Sequence, residues 1–288
     1  AYLGEVYSQM FPQRVDRMVL DSVVDPTTWE RQYFMDLAPA SQKAFTRWTV
    51  WAAKHDKKYH FGSTPRQVQH EYDRVLRGVG EAVGDAFRPG FRRSVFDVKN
   101  ASKTFQNLRE VLADPEELRQ QQRDLEKLPG NEPASENSAE DAAFTALNFA
   151  VLCQDSQDWP KDLTQYRRDA EAGRAKYPLA GDIYTNVRPC AFWKYRSVEP
   201  RVRVANTVKM LLVQNEWDAQ TALPGARAAH SALKGSAMIT VKNGQGHGVY
   251  TFDSSANPCA SQLVSSYLST GSLPKKKDVT CTDPVPKP

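Results

Sequence analysis

Two residues of this chain have types and spacing suited to proton transfer. Asp218 stands in "NEWDAQT" and His247 in "GQGHGVY". A histidine set between glycines on a loop is a common way to present a general base. A carboxylate that bonds the far ring nitrogen fixes the tautomer and supports the imidazolium that forms when the base takes a proton. Each residue also has a plainer role open to it. Asp218 suits a helix N-cap for the segment starting near Ala222, and His247 suits a loop histidine bonded to backbone. The donor such a base would need, a serine or cysteine in a G-x-S-x-G or G-x-C-x-G setting, is not found in the 288 residues.

The surrounding elements place both residues alike. "VKMLLVQNEWD" reads as a strand ending in polar residues, "ALPGARAAHSAL" as a helix with Pro224 in its first turn, and "AMITVK" as a second strand. The helix "CASQLVSSYLSTG" follows, closed by Gly271. Apolar strands alternating with helices predict a parallel sheet in an α/β fold. Functional residues of such sheets gather at the strands' carboxyl ends, which is where Asp218 and His247 fall. Acid before histidine, with one strand–helix–strand passage between, is the chain order of the α/β-hydrolase triad. The chain also opens as helix then strand. Leu3, Val6, Tyr7, Met10 and Phe11 form one helical stripe that Pro12 ends, and Met18–Leu20 with Val23–Val24 read as a buried strand. Residues 28–200 are rich in helical patterns, with Thr64-Pro65 a good N-cap and N1 pair. The expected organisation is core at 1–27, a helical lid at 28–200, and core again at 201–288.

Composition bounds the function. Hydrophobic residues make up 40% and charged residues 25%, the balance of an ordinary globular chain, and the net charge is only +4. Neither nucleic acid nor membrane is indicated as a partner: basic residues do not interleave with aromatics, and no apolar run is long enough to span a bilayer. Lys275–Lys277, the one dense basic run, reads as a solvated loop. The four cysteines lack C-x-x-C spacing, which argues against zinc or redox motifs. Two disulfides, Cys153–Cys190 and Cys259–Cys281, are the better reading and favour an exported protein; free buried thiols in a cytosolic protein are the alternative. His55 and His60 lie five apart with no carboxylate pattern for a metal. His70 and His230 read as helix-surface histidines, and Trp48, Trp51, Trp159 and Trp193 as lid core. Asp21 and Asp25 follow the first strand, where some hydrolases place their acid; local hydrogen bonding is the commoner role.

"AYLGEVYSQMFPQRVDRMVLDSVVDP" (1–26), "CQD…WP" (153–160), "PCAFW" (189–193), "NEWDAQT" (215–221), "NGQGHG" (243–248) and the segment Cys259–Cys281 together resemble the secreted actinobacterial tripeptidyl aminopeptidases, in the serine peptidase family that also holds prolyl aminopeptidases. The likeness runs over both ends and most of the chain, more loosely through the helical block. Two departures stand out. Many relatives carry a further cysteine pair where this chain has "WTVWAAKHDKKYHFG", and proline is usual where Ala219 follows the aspartate.

The resemblance implies an α/β-hydrolase that takes short peptides from free N-termini, with Asp218 and His247 as acid and base and with no metal or organic cofactor. It places the serine about three residues before Ala1, on the strand–helix turn of the nucleophile elbow. An N-terminal segment or second chain would then be the necessary partner, and these 288 residues, with about three strands of the sheet, would not fold well alone. An aminopeptidase also needs an anion for the substrate's ammonium. Asp155, in "CQD", is the first choice and Glu216, beside Asp218, the second; a solvated or helix-end aspartate is the plainer reading of Asp155. Two rivals stay open, an esterase or other small-molecule hydrolase on the same scaffold, and a non-catalytic binding protein that kept the fold.

Overall fold

The computed structural model describes residues 1–28, 31–127, 139–155, 158–195, 197–218, 220–250 and 257–287. In chain order the elements are α1 (Tyr2–Met10), β1 (Val19–Asp21), α2 (Arg31–Lys54), α3 (Asp56–Tyr59), α4 (Pro65–Val79), α5 (Glu81–Ser94), α6 (Val98–Ala113), α7 (Pro115–Lys127), α8 (Ala139–Gln154), α9 (Leu163–Lys176), α10 (Gly181–Thr185), β2 (Leu211–Trp217), α11 (Leu223–Ala232), β3 (Ala237–Gln245), α12 (Pro258–Thr270) and β4 (Asp278–Thr282). They form two compact units, Ala1–Ala40 with Pro200–Lys287, and Ser41–Glu199. The first division falls inside α2. Pro39, inside the helix, stands beside that division.

In the first unit the described strands make one parallel sheet in the order β1-β2-β3-β4. Side chains alternate across a strand, so neighbouring residues of β2 and β3 serve opposite faces. Leu211, Val213, Ile239 and Val241 pack with Ala260, Val264 and Tyr267 of α12. Met210, Leu212 and Met238 pack instead with Leu20, with Ala226 and Ala229 of α11, and with Val6 of α1. Both faces are thus covered, which is why these strands read as continuous apolar runs.

Local chemistry sets the ends of α12. The Asn257 side chain accepts from Ala260 N–H at 2.9 Å, Pro258 occupies the first turn, and Gly271 turns left-handed at φ 72°. Cys259 and Cys281 are joined, tying the first turn of α12 to β4. Replacing both with serine is expected to lower stability by about 3 kcal/mol. Guanidinium denaturation of the oxidised protein against the double variant checks this.

Two expectations for the sheet are corrected. β4 is a fourth strand where about three were expected; Lys275–Lys277, read as a solvated loop, stop short of it. Met238 N–H bonds Lys277 O at 2.8 Å, and five residues of β4 pair with β3. Of its five residues only Cys281 is buried and Val279 half-buried, so the apolar signal is weak. β3 also outruns "AMITVK". It continues through Asn243 and Gly244 to Gln245, which pairs with Trp217 across an irregularity in β2.

The second unit is helical among its described residues. Trp48, fully buried, centres an aromatic cluster with Phe45, Phe61, Tyr72, Phe91 and Phe105. Its indole N–H donates to Ser102 Oγ at 3.0 Å, which satisfies the one polar atom buried with the ring. Thr64 and Gln67 close a reciprocal capping box at the start of α4. The Cys153–Cys190 disulfide joins α8 to the "PCAFW" turn. Around it Trp159 Nε1 donates to Leu152 O, Trp193 Nε1 to Gln154 Oε1, and Lys161 Nζ to the carbonyls of Cys190 and Trp193. Trp51 and Trp159 are buried as well; Trp193 is half-buried.

Candidate active site

Asp218 follows the last residue of β2, and its side chain is fully buried. A bare buried carboxylate would be very costly; this one is surrounded by donors. Oδ1 accepts from Gln220 N–H at 2.6 Å and Thr221 N–H at 2.8 Å, and Oδ2 from the Thr221 hydroxyl at 3.0 Å. His247 Nδ1 lies 3.1 and 3.0 Å from the two oxygens. A carboxylate only accepts, so Nδ1 carries a proton and Nε2 is left with its lone pair when the ring is neutral. The turn that sets this up is held in place by the buried Gln214, whose Nε2 donates to Thr221 O at 2.8 Å, and by Tyr33, whose hydroxyl donates to Gln220 O. The helix-cap role for Asp218 is not what the structure contains: α11 starts after Ala222 with no side-chain cap. Ala219 lies outside the described residues.

His247 is held raised in pKa, first by the hydrogen bond to Asp218 and then by the charges of Asp218 and Asp21, against the desolvation of its ring and the Ala1 amino group. Among the described residues nothing hydrogen-bonds Nε2, and the side chain is 47% exposed. The ring is therefore anchored on one nitrogen and presented on the other.

The loop that carries the histidine is tied on two sides. From β2, Asn215 Nδ2 lies 3.3, 3.2 and 3.0 Å from the carbonyls of Gln245, Gly246 and Gly248, and Glu216 Oε2 accepts from Asn243 N–H at 2.8 Å. Asn243 is left-handed at φ 61°, a conformation asparagine tolerates better than most residues. A Cβ on Gly244 would meet Asn215 Oδ1 at 2.2 Å, so glycine is required there. From β1, Asp21 accepts from the N–H groups of Val249 and Tyr250, and Ser22 Oγ from that of Gly248.

Other candidates fall elsewhere. Asp21 is not the carboxylate paired with His247; it accepts locally from the Ser22 hydroxyl and also bonds the histidine loop's backbone. Asp25 accepts from Thr27 N–H and its hydroxyl, a local turn. Glu216 has one oxygen engaged by Asn243. Asp155 ends α8 in the second unit and is exposed; loss of hydration and the charge of Glu199 push its carboxyl up. His55 Nδ1 pairs with Trp51 O, while His60 and His70 are exposed.

His230 is not an ordinary surface histidine. Its Nδ1 sits 2.6 Å from Ser236 Oγ and its Nε2 3.4 Å from Asp278, a second Ser–His–Asp line. The chemistry is wrong for a nucleophile. Ser236 gives its proton to Leu233 O at 2.6 Å, so it accepts from His230, and it lies 1% exposed beside the first residue of β3. Burial, aided by Lys277, holds His230 below its usual pKa against the pull of Asp278.

Helices on both faces of a parallel sheet, with an aspartate and a histidine after consecutive strands, fit an α/β-hydrolase fold. Residues 177–281, which include Asp218 and His247, match the family described as TAP-like protein. The chain is 31% identical, over 97% of its length, to the tripeptidyl aminopeptidase of Streptomyces coelicolor and equally to that of Streptomyces lividans. It spans about half the length of these relatives, 52% in each case. Its residues 177–281 are thus similar to the TAP-like family within an α/β-hydrolase fold.

Proposed function

We propose that this chain carries the acid and base of a serine exopeptidase that removes short peptides from free N-termini. The observation carrying the reading is the Asp218–His247 pair, bonded through Nδ1 with Nε2 presented to solvent. In the proposed mechanism Nε2 takes the proton of a serine supplied from before Ala1, and the serine oxygen attacks the peptide carbonyl. Asp218 supports the imidazolium, which then gives its proton to the departing amine. Water activated by the same nitrogen hydrolyses the acyl-enzyme.

The substrate's ammonium calls for an anion. Asp155 suits it: its carboxyl is disfavoured as a charge by desolvation and by Glu199, and a bound cation would relieve both. Glu216 is the weaker choice because Asn243 already occupies one oxygen. The two disulfides support an exported enzyme. Assay of the active enzyme with free and N-acylated tripeptide anilides tests the reading. Cleavage confined to the free peptides is expected. Equal rates on the blocked ones would sink it and favour a general esterase or amidase.

A further inference from the structure

We infer that Asp21 is a positioning residue for His247: from the end of β1 its carboxylate, together with the Ser22 hydroxyl, fixes the backbone that carries the imidazole. The inference rests on the catalytic reading of His247 above.

Three consecutive N–H groups of the histidine loop converge on these two side chains. Gly248 N–H reaches Ser22 Oγ at 2.8 Å, Val249 N–H lies 3.0 Å from both Asp21 oxygens, and Tyr250 N–H is 2.8 Å from Oδ2. Hydrogen bonds to an ionised acceptor are about twice as strong as neutral ones. Ser22 also donates to Asp21 Oδ1 at 3.0 Å, so the hydroxyl links the carboxylate to the loop. It does so from a left-handed backbone, φ 59°, which a non-glycine residue adopts at a cost and keeps only where its surroundings hold it. Here Ser22 N–H is bonded to Val213 O at 3.0 Å, which seats the residue on β2.

The loop needs such a clamp. Gly246 and Gly248, on either side of His247, both have positive φ, 83° and 94°, so the backbone there has little intrinsic preference. Asn215 holds carbonyls of this loop; only Asp21 and Ser22 among the described residues hold the N–H groups of 248–250. Val249, 3% exposed and packed in the core, anchors the far end. The charge of Asp21 also favours imidazolium, behind Asp218 and against the Ala1 amino group.

Asp21→Asn is nearly isosteric but turns an amide donor toward N–H groups and removes the charge. In the active enzyme kcat is expected to fall about 10- to 100-fold, the scale of a misplacement near 1 Å, with KM little changed and the acid limb of kcat moved to lower pH. Ser22→Ala, which removes a hydrogen bond and no charge, is expected to lower kcat with the limb unmoved. NMR titration of the His247 ring gives a readout independent of turnover, and its pKa is expected to drop in D21N. Wild-type kcat, pH limb and ring titration in D21N would overturn the inference. If D21N does not fold, wild-type kcat in S22A would do so. If His247→Ala stays active, the catalytic reading has failed, and the D21N ring titration then decides the clamp alone.

Discussion

Replacing His247 with alanine in the active enzyme is expected to lower kcat by about three to four orders of magnitude with the fold intact, and Asp218→Asn by a similar factor. The His247 side chain is 47% exposed, so the alanine variant is expected to leave the sheet undisturbed. Asp218→Asn keeps the shape but places an amide where the carboxylate accepts four donors, Nδ1 of His247 among them. The imidazole then loses its fixed tautomer. The pH profile separates this from simple misfolding. The base must be neutral to act, and its pKa is held above 6.5, so wild-type activity should fail on the acid side at a pH above that value. In D218N the residual activity should persist to lower pH, since the largest cause of the shift is gone. Near-normal turnover in either variant would remove the pair from the mechanism.

The second large effect concerns stability. Glu5 lies on α1 with 0% of its surface exposed, and neither carboxylate oxygen has a hydrogen-bond partner among the described residues. Burial, with a further push from Asp25 and a counter-pull from the Ala1 amino group, raises its pKa from 4.5 to about 8. The carboxyl is therefore neutral in the folded protein at pH 7. A carboxyl with a raised folded pKa binds its proton more tightly when folded, so it costs nothing below about pH 4.5 and progressively more up to about pH 8. Glu5→Gln removes that dependence. The stability of the variant relative to wild type should rise between those limits by roughly 4 kcal/mol. Urea denaturation at pH 4.5, 6 and 8 measures it. A constant difference across that range would mean that Glu5 finds a partner or water when ionised.

How much of this was readable in the sequence depends on whether the physics was local. Caps were, because they are built within one turn: Thr64-Pro65 starts α4 and Gly271 ends α12 as expected. The acid and histidine were readable because strand, turn and helix signals put them at matching strand ends. The clamp was not. Asp21 looks like any aspartate leaving a strand, and its partners lie more than 220 residues away in the chain. A faint signal existed in β2, where Gln214 and Asn215 interrupt an apolar strand and are both buried. Polar residues buried in a strand must satisfy neighbouring backbone, and these two hold the turns of both candidate catalytic residues. His230 was misread for the same reason. Its partners come from the next strand and the one after, and helical spacing alone does not report them.

The ties on the histidine loop come from two strand ends: Asp21 and Ser22 accept from the N–H groups of 248–250, while β2 supplies the Asn215 amide for its carbonyls and the Glu216 carboxylate for the Asn243 N–H. The loop is therefore not a portable cassette. Grafting residues 243–250 into another scaffold would transfer the imidazole without its seat, and a swap between relatives would succeed only if residues 21–22 and 215–216 travelled with it. In engineering terms the exchangeable part is three short segments far apart in the chain, and a library that varies the loop alone searches a space whose shape two strand tips have already fixed.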